Sequence, residues 1–484
     1  MLSKSQFLTL FRAQVPHEPT AGQVSAMDKM VDFLYQREPK QLFVLKGYAG
    51  TGKTTLISAL VRVFTHLQKK TVLLAPTGRA AKVFASYSGA KAYTIHKHIY
   101  KIAHKEGFVK VRRKTNESTN TLYIVDEASM ISCESNPNEL FGTRELLTDL
   151  MEYVFEGENN KLIFIGDDAQ LPPVHNTESP ALNLDFLTAT FDVVAYACQL
   201  TDVVRQTNDS GILHNATLLR NILTKNRFKL PFFSLSSFED IKRIGSLELE
   251  DELNRLYAHH NPEDIVVITR SNKRSYIFNN EIRNRIFYRE NKLTTGDFLM
   301  AVKNNYYWID ELSEVGFIAN GDMMEVMSIT KTQELYGFNF MDIRVRLCDY
   351  PNYPNIDIKI ILESLEAEGA SMTGEQMKLL YHEVAKDYED IPNKRLRFLK
   401  IKSNPFLNAV QVKFSYSLTC HKTQGGQWKT VLIDIGYFDE NKMDKEFIRW
   451  LYTALTRATE NVYLVNFDDR FFRSSYGNSR TLQK

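Results

Sequence analysis

The segment around Lys53 contains the residue types and the spacing that best suit phosphate chemistry. Residues 47–54 read GYAGTGKT and fit the pattern G-x-x-x-x-G-K-[ST]. In that pattern glycines let backbone N–H groups wrap a polyphosphate, the lysine reaches the β- and γ-phosphates, and the hydroxyl can bind Mg²⁺. We therefore predict a nucleotide site formed by Gly47, Ala49, Gly50, Thr51, Gly52, Lys53, Thr54 and Thr55.

Two further segments place polar side chains directly after apolar runs. Asp126 and Glu127 follow LYIV, and Gln170 lies in FIGDDAQLPPV. An aspartate after a strand can hold Mg²⁺, and a neighbouring glutamate can orient and deprotonate the attacking water. A solvated turn is the alternative for Asp126 and Glu127. For Gln170, taken alone, a turn stiffened by Pro172 and Pro173 is the favoured interpretation.

The elements that must position these residues follow from the apolar runs. Up to about residue 200, short apolar runs alternate with helical stretches, which predicts a mainly parallel sheet. The predicted strands are 42–45, 71–75, 122–126, 161–167 and 193–196. A second set appears later, at 264–270, 410–420, 430–436 and 461–467.

The domain organisation follows from the gap between these two sets. We expect an α/β protein with one lobe at 1–200, carrying a small insertion at 92–121, and a second lobe at 201–295 and 410–484. The stretch 296–409 alternates like short antiparallel strands and then becomes helical and charged at 371–388. That pattern predicts an inserted module resembling a β-barrel, with a charged helical arm.

Composition bounds the class of protein. The chain has 484 residues, a net charge of +2 and 43% hydrophobic residues, as is typical of a soluble globular protein of about three domains. The nearly balanced charge argues neither for nor against nucleic acid. The N-terminus does not look like a secretory signal and no apolar run could span a membrane, so we expect a cytoplasmic protein. No zinc site or disulfide framework is suggested by the cysteines, which are Cys133, Cys198, Cys348 and Cys420.

Eight ordered segments carry a resemblance to a known family. They resemble the motifs of superfamily I DNA helicases, and the RecD/Dda-like branch, which travels 5′-to-3′, fits best. The resemblance runs from about residue 20 to 467 and is weakest over 207–260 and 350–405. The segments are GYAGTGKTT, LLAPTGRAAKV, TIHKHIY, IVDEASM, FIGDDAQLPPV, LTDVVRQT, YSLTCHKTQGGQWKTV and WLYTALTRATENVYLV.

This resemblance implies two RecA-like lobes, an SH3-like barrel, and ATP with Mg²⁺ as cofactors. It assigns Gln23 to the reading of adenine and Gln170 to the sensing of the γ-phosphate. Arg205 and Arg457 resemble the arginines supplied to the γ-phosphate from across the cleft. Thr54 and Asp126 would be the metal ligands. The catalytic set is then Lys53, Glu127, Gln170, Arg205 and Arg457.

The same resemblance implies single-stranded DNA and duplex or fork DNA as partners. Hydroxyls, imidazoles and backbone N–H groups at strand ends can fix a phosphate chain without reading bases. The candidates are Pro76, Thr77, Arg79, His96, Lys97, Thr419, His421, Lys422 and Gln424. Ordinary surface polarity competes for each of them. The basic stretch 101–114 could form a strand-separating projection or a solvated hairpin. Core packing is the favoured interpretation of several aromatics, which are Tyr100, Phe108, Tyr306, Tyr307 and Trp308.

The function that the resemblance implies is an ATP-dependent DNA helicase, with a monomer expected and other replication or repair proteins as candidate partners. An RNA-directed translocase, a translocase that does not unwind, and a nucleotide-switched binding module remain as alternatives.

Overall fold

The computed structural model of the protein describes residues 2–105, 108–133, 145–202, 210–310, 313, 315–439 and 443–472, with backbone only at 102–105 and 108–111. Among the described residues no helix is long and apolar enough to cross a membrane.

The first lobe is built on one parallel sheet. Its six strands lie in the order β3-β2-β6-β7-β1-β8, and every neighbouring pair is parallel, as predicted. The strands are β1 (Gln41–Gly47), β2 (Thr71–Ala75), β3 (Ala92–Thr94), β4 (Tyr100–Lys105), β5 (Phe108–Arg113), β6 (Leu122–Val125), β7 (Lys161–Gly166) and β8 (Val194–Leu200). Strands β4 and β5 form a separate antiparallel pair. The helices are α1 (Lys4–Ala13), α2 (Ala21–Tyr35), α3 (Lys53–His66), α4 (Gly78–Ser88), α5 (Ile95–Ile99), α6 (Leu146–Glu156) and α7 (Leu184–Phe191).

Local capping fixes where the helices next to the predicted site begin. Thr20 caps α2 in a capping box with Gln23, and the Thr77 hydroxyl accepts a hydrogen bond from the N–H of Ala80 at the start of α4. Gly52 precedes α3 in the left-handed conformation, with φ of 81°, which favours glycine. These starts all lie at the carboxyl edge of the sheet, where ligands bind in open α/β folds.

The second lobe begins after residue 210 and has a second parallel sheet. Its strand order is β16-β10-β17-β18-β9. The elements before the inserted barrel are α8 (Gly211–Thr224), β9 (Ile241–Ile244), α9 (Leu249–His259), β10 (Ile265–Thr269) and α10 (Asn272–Glu281). Strand β9 was not predicted, because only its two end residues are buried and apolar.

In the part of the insertion that the structure describes, five strands form a closed barrel accompanied by three helices, so the predicted barrel is confirmed. Its strands pair antiparallel except β14 with β15. The elements are β11 (Phe298–Ala301), β12 (Met323–Leu335), β13 (Phe338–Leu347), β14 (Ile356–Ile361), α11 (Glu363–Glu366), α12 (Gly374–Lys386), α13 (Lys394–Lys402) and β15 (Val410–Phe414). The charged stretch is helical as expected, and α12 buries Leu380 and Val384 against Phe340 of the barrel.

The chain then returns to the second lobe as β16 (Ser417–Thr419), α14 (Cys420–Thr423), β17 (Trp428–Asp434), α15 (Lys445–Leu455) and β18 (Ala458–Val465). Our single predicted strand at 410–420 was wrong in its first half, because 410–414 pairs with the barrel strands β11 and β14. The apolar pattern continues through the short link between the two strands, so periodicity alone does not reveal the change of sheet.

A buried carboxylate joins the barrel to the second lobe. Asp297 is 0% exposed and accepts hydrogen bonds from the guanidinium groups of Arg283 and Arg289, at 3.0 and 2.7 Å. It also accepts from the N–H of Thr294 at 2.8 Å and the hydroxyl of Tyr416 at 3.0 Å. A buried charge supplied with so many donors is well satisfied, and it fixes the two units to each other.

Candidate active site and nucleic-acid interface

The predicted phosphate loop connects β1 to α3 and is held by its own side chains. Gly50 and Gly52 have φ of 77° and 81°, a region that side chains disfavour. The ammonium group of Lys53 donates to the carbonyl oxygens of Gly47 and Tyr48, at 2.5 and 3.0 Å. The lysine therefore lies over the mouth of the loop, where a phosphate would replace the carbonyls as its partner. The N–H groups of Thr54 and Thr55 lie in the first turn of α3, at its positive end.

Gln23 lies beside the loop, but its amide is already engaged. Its carbonyl oxygen accepts from the N–H of Thr20 at 3.1 Å, and its amide nitrogen donates to the carbonyl of Thr51 at 3.3 Å. The side chain is 1% exposed. Reading of adenine by Gln23 stays a prediction and requires at least one of these bonds to be exchanged.

Asp126 follows β6 and is a buried carboxylate with both oxygens bonded. One oxygen accepts from the N–H of Glu127 at 2.8 Å, and the other accepts from the hydroxyl of Tyr87. Burial raises the pKa of Asp126, although Tyr87, Glu127 and Lys53 counteract that rise. The side chain of Thr54 lies close enough to the hydroxyl of Tyr87 to lower the pKa of this phenol, against the larger rise that burial and Asp126 cause.

The donor set suits Mg²⁺ by type, since a carboxylate and a hydroxyl are hard oxygen ligands and Mg²⁺ usually takes only one or two carboxylates plus substrate phosphates. The phenol of Tyr87 donates to Asp126 and lies near Thr54, so it interacts with both predicted ligands. Asp126 and Thr54 can thus hold the ion if Tyr87 turns away from them.

Glu127 faces the second lobe. One of its carboxylate oxygens lies 3.9 Å from the guanidinium of Arg457, which is 4% exposed. Burial raises the pKa of Glu127, while Arg457 lowers it. The backbone of Glu127 has φ of 51°, a conformation that non-glycine residues adopt at a cost and that often occurs at functional sites. The structure thus brings Arg457 to the predicted glutamate, whereas Arg205 lies outside the described residues.

Asp167, at the end of β7, is a second buried carboxylate of the cleft that sequence reasoning missed. It accepts from the N–H of Ala169 at 2.9 Å and from the hydroxyl of Tyr452 at 2.6 Å. The same hydroxyl accepts from the N–H of Ala49 in the phosphate loop, at 2.8 Å. Burial raises the pKa of Asp167, and Lys53 opposes the rise. The signal was present, because Asp167 ends an apolar run as Asp126 does.

Helix α15 docks onto the segment after β7. The hydroxyl of Thr453 accepts from the N–H of Leu171 at 2.9 Å, and the guanidinium of Arg449 donates to the carbonyls of Asp168 and Thr177, at 3.1 and 2.7 Å. Between these contacts lies Gln170, which is 7% exposed. Its carbonyl oxygen is buried without a hydrogen-bond partner among the described residues. That orphaned acceptor suits the predicted contact with the attacking water, which can donate to it, whereas a bond to a γ-phosphate oxygen would have to come from the amide nitrogen.

The nucleic-acid candidates of the first lobe lie where three units meet. Thr77 is occupied in capping α4, next to Pro76. Arg79 stacks over the ring of Trp428 at 3.9 Å and donates to the carbonyl of Gln427 at 2.8 Å, so it contacts the second lobe. Lys97 reaches the carbonyl of Ser313 at 3.4 Å. Burial lowers the pKa of His96 to about 4, so this imidazole is neutral at pH 7 and can donate one hydrogen bond but adds no charge.

The candidates of the second lobe follow β16. Thr419 precedes α14 and makes no side-chain cap bond, and burial lowers the pKa of both His421 and Lys422, the latter to about 8. Gln424 is 6% exposed and donates to the carbonyl of Leu171 at 2.5 Å. In this arrangement it connects the lobes. The nucleic-acid role of each of these residues stays a prediction.

The remaining aromatic and basic candidates lie in different surroundings. Tyr100 is a core residue, with its hydroxyl on Asp149 at 2.7 Å, in line with the favoured interpretation. Trp308 donates to the carbonyl of Asn408 at 2.8 Å. Tyr306 packs on Phe317 with ring centroids 4.8 Å apart. The basic stretch contains the antiparallel strands β4 and β5, the side chain of Phe108 lies outside the description, and the role of the stretch stays a prediction.

Comparison with known proteins adds to this geometry. Residues 19–229 match the AAA domain family, and residues 414–465 match the UvrD-like helicase C-terminal domain. The ATP-dependent DNA helicase dda of Enterobacteria phage T4 is 24% identical over 476 residues, which cover 92% of this chain and 99% of that protein. This chain is similar to superfamily I helicases of the RecD/Dda-like branch over nearly its full length.

Two further relatives and one solved structure are similar to this chain over most of its length. An uncharacterized protein of Acanthamoeba polyphaga mimivirus is 26% identical over 513 residues, covering 92% of this chain and 98% of that protein. The RecBCD enzyme subunit RecD of Buchnera aphidicola is 21% identical over 505 residues, covering 91% of this chain and 72% of that protein. Among solved structures, the Pif1 helicase from Bacteroides in complex with ADP-AlF3 and ssDNA is 16% identical at a TM-score of 0.47, with 95% of each chain covered.

Proposed function

We propose that this protein is an ATP-dependent DNA helicase that moves 5′-to-3′ along single-stranded DNA and separates duplex DNA. The observation that carries the proposal is the approach of Glu127 and Arg457, from opposite lobes, to 3.9 Å beside the phosphate loop. A catalytic site completed by both lobes makes hydrolysis depend on how the lobes are arranged, as a motor requires. The name and full-length coverage of the phage T4 relative support DNA as the track.

The residues of the cleft have distinct tasks in this proposal. Lys53 binds the β- and γ-phosphates, and Glu127 accepts the proton of the attacking water. Arg457 neutralises charge that develops on the γ-phosphate, and Gln170 orients the water through its unpartnered oxygen. Mg²⁺, held by Thr54 and Asp126, would neutralise the phosphate oxygens.

The unwinding assay separates the remaining possibilities. We expect the wild-type protein to open a 5′-tailed DNA fork with ATP and Mg²⁺, and to leave a 3′-tailed fork and an RNA fork closed. Opening of the RNA fork would replace DNA by RNA as the track. DNA-stimulated ATPase without any unwinding would reduce the protein to a translocase.

Two variants test the motor itself. Lys53→Ala and Glu127→Gln should each abolish unwinding, because the first removes phosphate binding and the second the general base. Lys29→Ala and Glu18→Gln alter exposed residues of the same lobe and serve as matched controls. If DNA-dependent activity survives in both cleft variants, the nucleotide is only a switch for a binding module.

The proposal includes the compartment, the oligomeric state and the partners of the enzyme. We place it in the cytoplasm as a monomer that acts on single-stranded and fork DNA, with replication or repair proteins as further partners. Light scattering of the purified protein, with and without DNA, measures its molar mass and so tests the monomeric state. Because its contacts go to phosphates, affinity for single-stranded DNA should fall steeply with salt.

A further inference from the structure

One buried hydroxyl joins three parts of the ATP cleft. The phenol of Tyr452, on α15 of the second lobe, lies between the phosphate loop and the end of β7 in the first lobe. It is 2.8 Å from the nitrogen of Ala49 and 2.6 Å from a carboxylate oxygen of Asp167. Tyr452 is 1% exposed, so water does not compete for these bonds.

The direction of the two bonds follows from the chemistry of the groups. The backbone N–H of Ala49 can only donate, so the hydroxyl oxygen of Tyr452 accepts from it. The single hydrogen of the hydroxyl is then directed to Asp167, which can only accept when ionised. A change at Ala49 therefore acts on the same oxygen atom that holds Asp167.

Each end of this chain of bonds leads to a group of the proposed chemistry. The carbonyl of Asp167 accepts from the N–H of Gln170 at 3.3 Å, so Asp167 shapes the turn that presents Gln170. In the other direction, Tyr452 lies in α15, whose last turn leads to Arg457, and the N–H of Arg457 bonds the carbonyl of Ala454 at 3.2 Å.

We propose that Tyr452 is a positioning residue that links the state of the phosphate loop to the placement of Gln170 and Arg457. A phosphate that enters the loop shifts the N–H of Ala49. The phenol of Tyr452 then either moves with this N–H or loses its bond to it, and in both cases α15 changes its docking on the segment after β7. This inference rests on the proposed function, because it assigns the coupling step of that same ATP site.

The test uses Tyr452→Phe in the full chain, which removes the hydroxyl and keeps the ring. Affinity for fluorescent oligothymidylate is measured by anisotropy without nucleotide and with Mg²⁺ and a non-hydrolysable ATP analogue. Wild-type protein should show a change of about fivefold or more between the two states, as is typical of coupled sites. In Tyr452→Phe the change should shrink to less than about twofold, with nucleotide-free affinity for DNA unaltered.

Steady-state kinetics give a second readout. In Tyr452→Phe we expect kcat of the DNA-stimulated ATPase to fall about tenfold while KM for ATP stays within about threefold, because the loop still binds phosphate but the groups of both lobes are misplaced. Tyr463→Phe is the matched control, since it removes another buried phenol with a charged partner, the guanidinium of Arg255 at 3.0 Å, on strand β18 rather than in the ATP cleft.

The outcomes separate the inference from the function on which it rests. Tyr452→Phe with wild-type coupling and kcat overturns the inference and leaves the helicase intact. Wild-type protein without any nucleotide-dependent change in DNA affinity overturns both. If Tyr452→Phe does not fold, Asp167→Asn replaces it, because the amide keeps the shape and weakens the bond to the phenol. Coupling unchanged in Asp167→Asn would then overturn the inference.

Discussion

The carboxylate of Glu127 and the guanidinium of Arg457 face each other at 3.9 Å, although one belongs to the first lobe and the other to the second. The distance is too long for a strong hydrogen bond and short enough for a clear electrostatic effect. Arg457 is in addition held by the carbonyls of Thr453 and Gly426, both at 3.2 Å. The pair is therefore preset for the entry of a phosphate rather than locked in a closed salt bridge.

The pH dependence of ATP hydrolysis should report this pair. Burial raises the pKa of Glu127 and Arg457 lowers it, and only the ionised glutamate can accept a proton. Hence kcat should rise with pH through a pKa above that of an ordinary glutamate. Arg457→Gln should lower kcat by about 10³ and move the acid limb to higher pH, because the counter-charge is lost. An unmoved limb in this variant, compared with the exposed control Arg470→Gln, would contradict the assignment of Glu127 as base.

Tyr87 should compete with the metal. Its hydroxyl donates to Asp126 and lies near Thr54, and these two residues are the predicted magnesium ligands. Tyr87→Phe should therefore reduce the Mg²⁺ concentration at half-maximal ATPase rate by about three- to tenfold, since a hydrogen bond to a charged group no longer has to be broken. Titration with Mg²⁺ at saturating ATP measures the effect, with Tyr35→Phe as the control. A higher Mg²⁺ requirement would instead show that the phenol helps to hold the metal.

Affinity for single-stranded DNA should weaken as pH rises from 7 to 9. Burial lowers the pKa of Lys422 to about 8, and the residue has no ion-pair partner among the described residues. Above that pH the amine is neutral and its attraction for phosphate is lost, so affinity should fall about three- to tenfold at constant salt. Lys422→Arg stays charged and should show little of this fall. Equal slopes for both proteins would mean that Lys422 does not contact the strand.

Stability should depend on pH through the barrel. Burial, reinforced by Asp349, raises the pKa of Asp322 to about 8. The folded protein thus keeps a proton that the unfolded chain releases above about pH 4, so this residue's contribution to stability is lost as pH rises through about 8. Asp322→Asn should remove that loss. Its free energy of unfolding relative to wild type should therefore be about 1–3 kcal/mol higher at pH 9 than at pH 6.

Thermal unfolding at several pH values measures the effect of Asp322→Asn. Asp357→Asn is the control, because the ion pair with Arg344 lowers the pKa of the exposed Asp357 and it stays ionised over this range. A wild-type pH profile that Asp322→Asn leaves unchanged between pH 6 and 9 would contradict the assignment.

The parts of the site that were predictable are those fixed by neighbours in sequence. The strand, turn and helix around Lys53 follow from local pattern, and Asp126 and Glu127 follow from the end of an apolar strand. Tyr452 was not predictable, because an aromatic residue in an apolar helix usually packs in a core. Its two polar partners, Ala49 and Asp167, come from distant parts of the chain. Only the fold brings the three together.

The fold, like the site, was predictable only where local sequence pattern determines it. Parallel lobes and the barrel follow from strand spacing and from the change of periodicity. The change from the barrel to the second parallel sheet at Ser415 and Tyr416 was not predictable, since one apolar pattern covers both strands. The sequence could not separate the capping bonds of Gln23 from a role in binding adenine, because the same amide serves either purpose, and the adenine role stays a prediction.

The bonds around Asp297 set a limit on how the barrel can move. Because they fix the barrel to the second lobe, and because β15 passes into β16 through two residues, the barrel has no joint of its own on that side. A rotation of the second lobe about the cleft therefore carries the barrel with it as one rigid body.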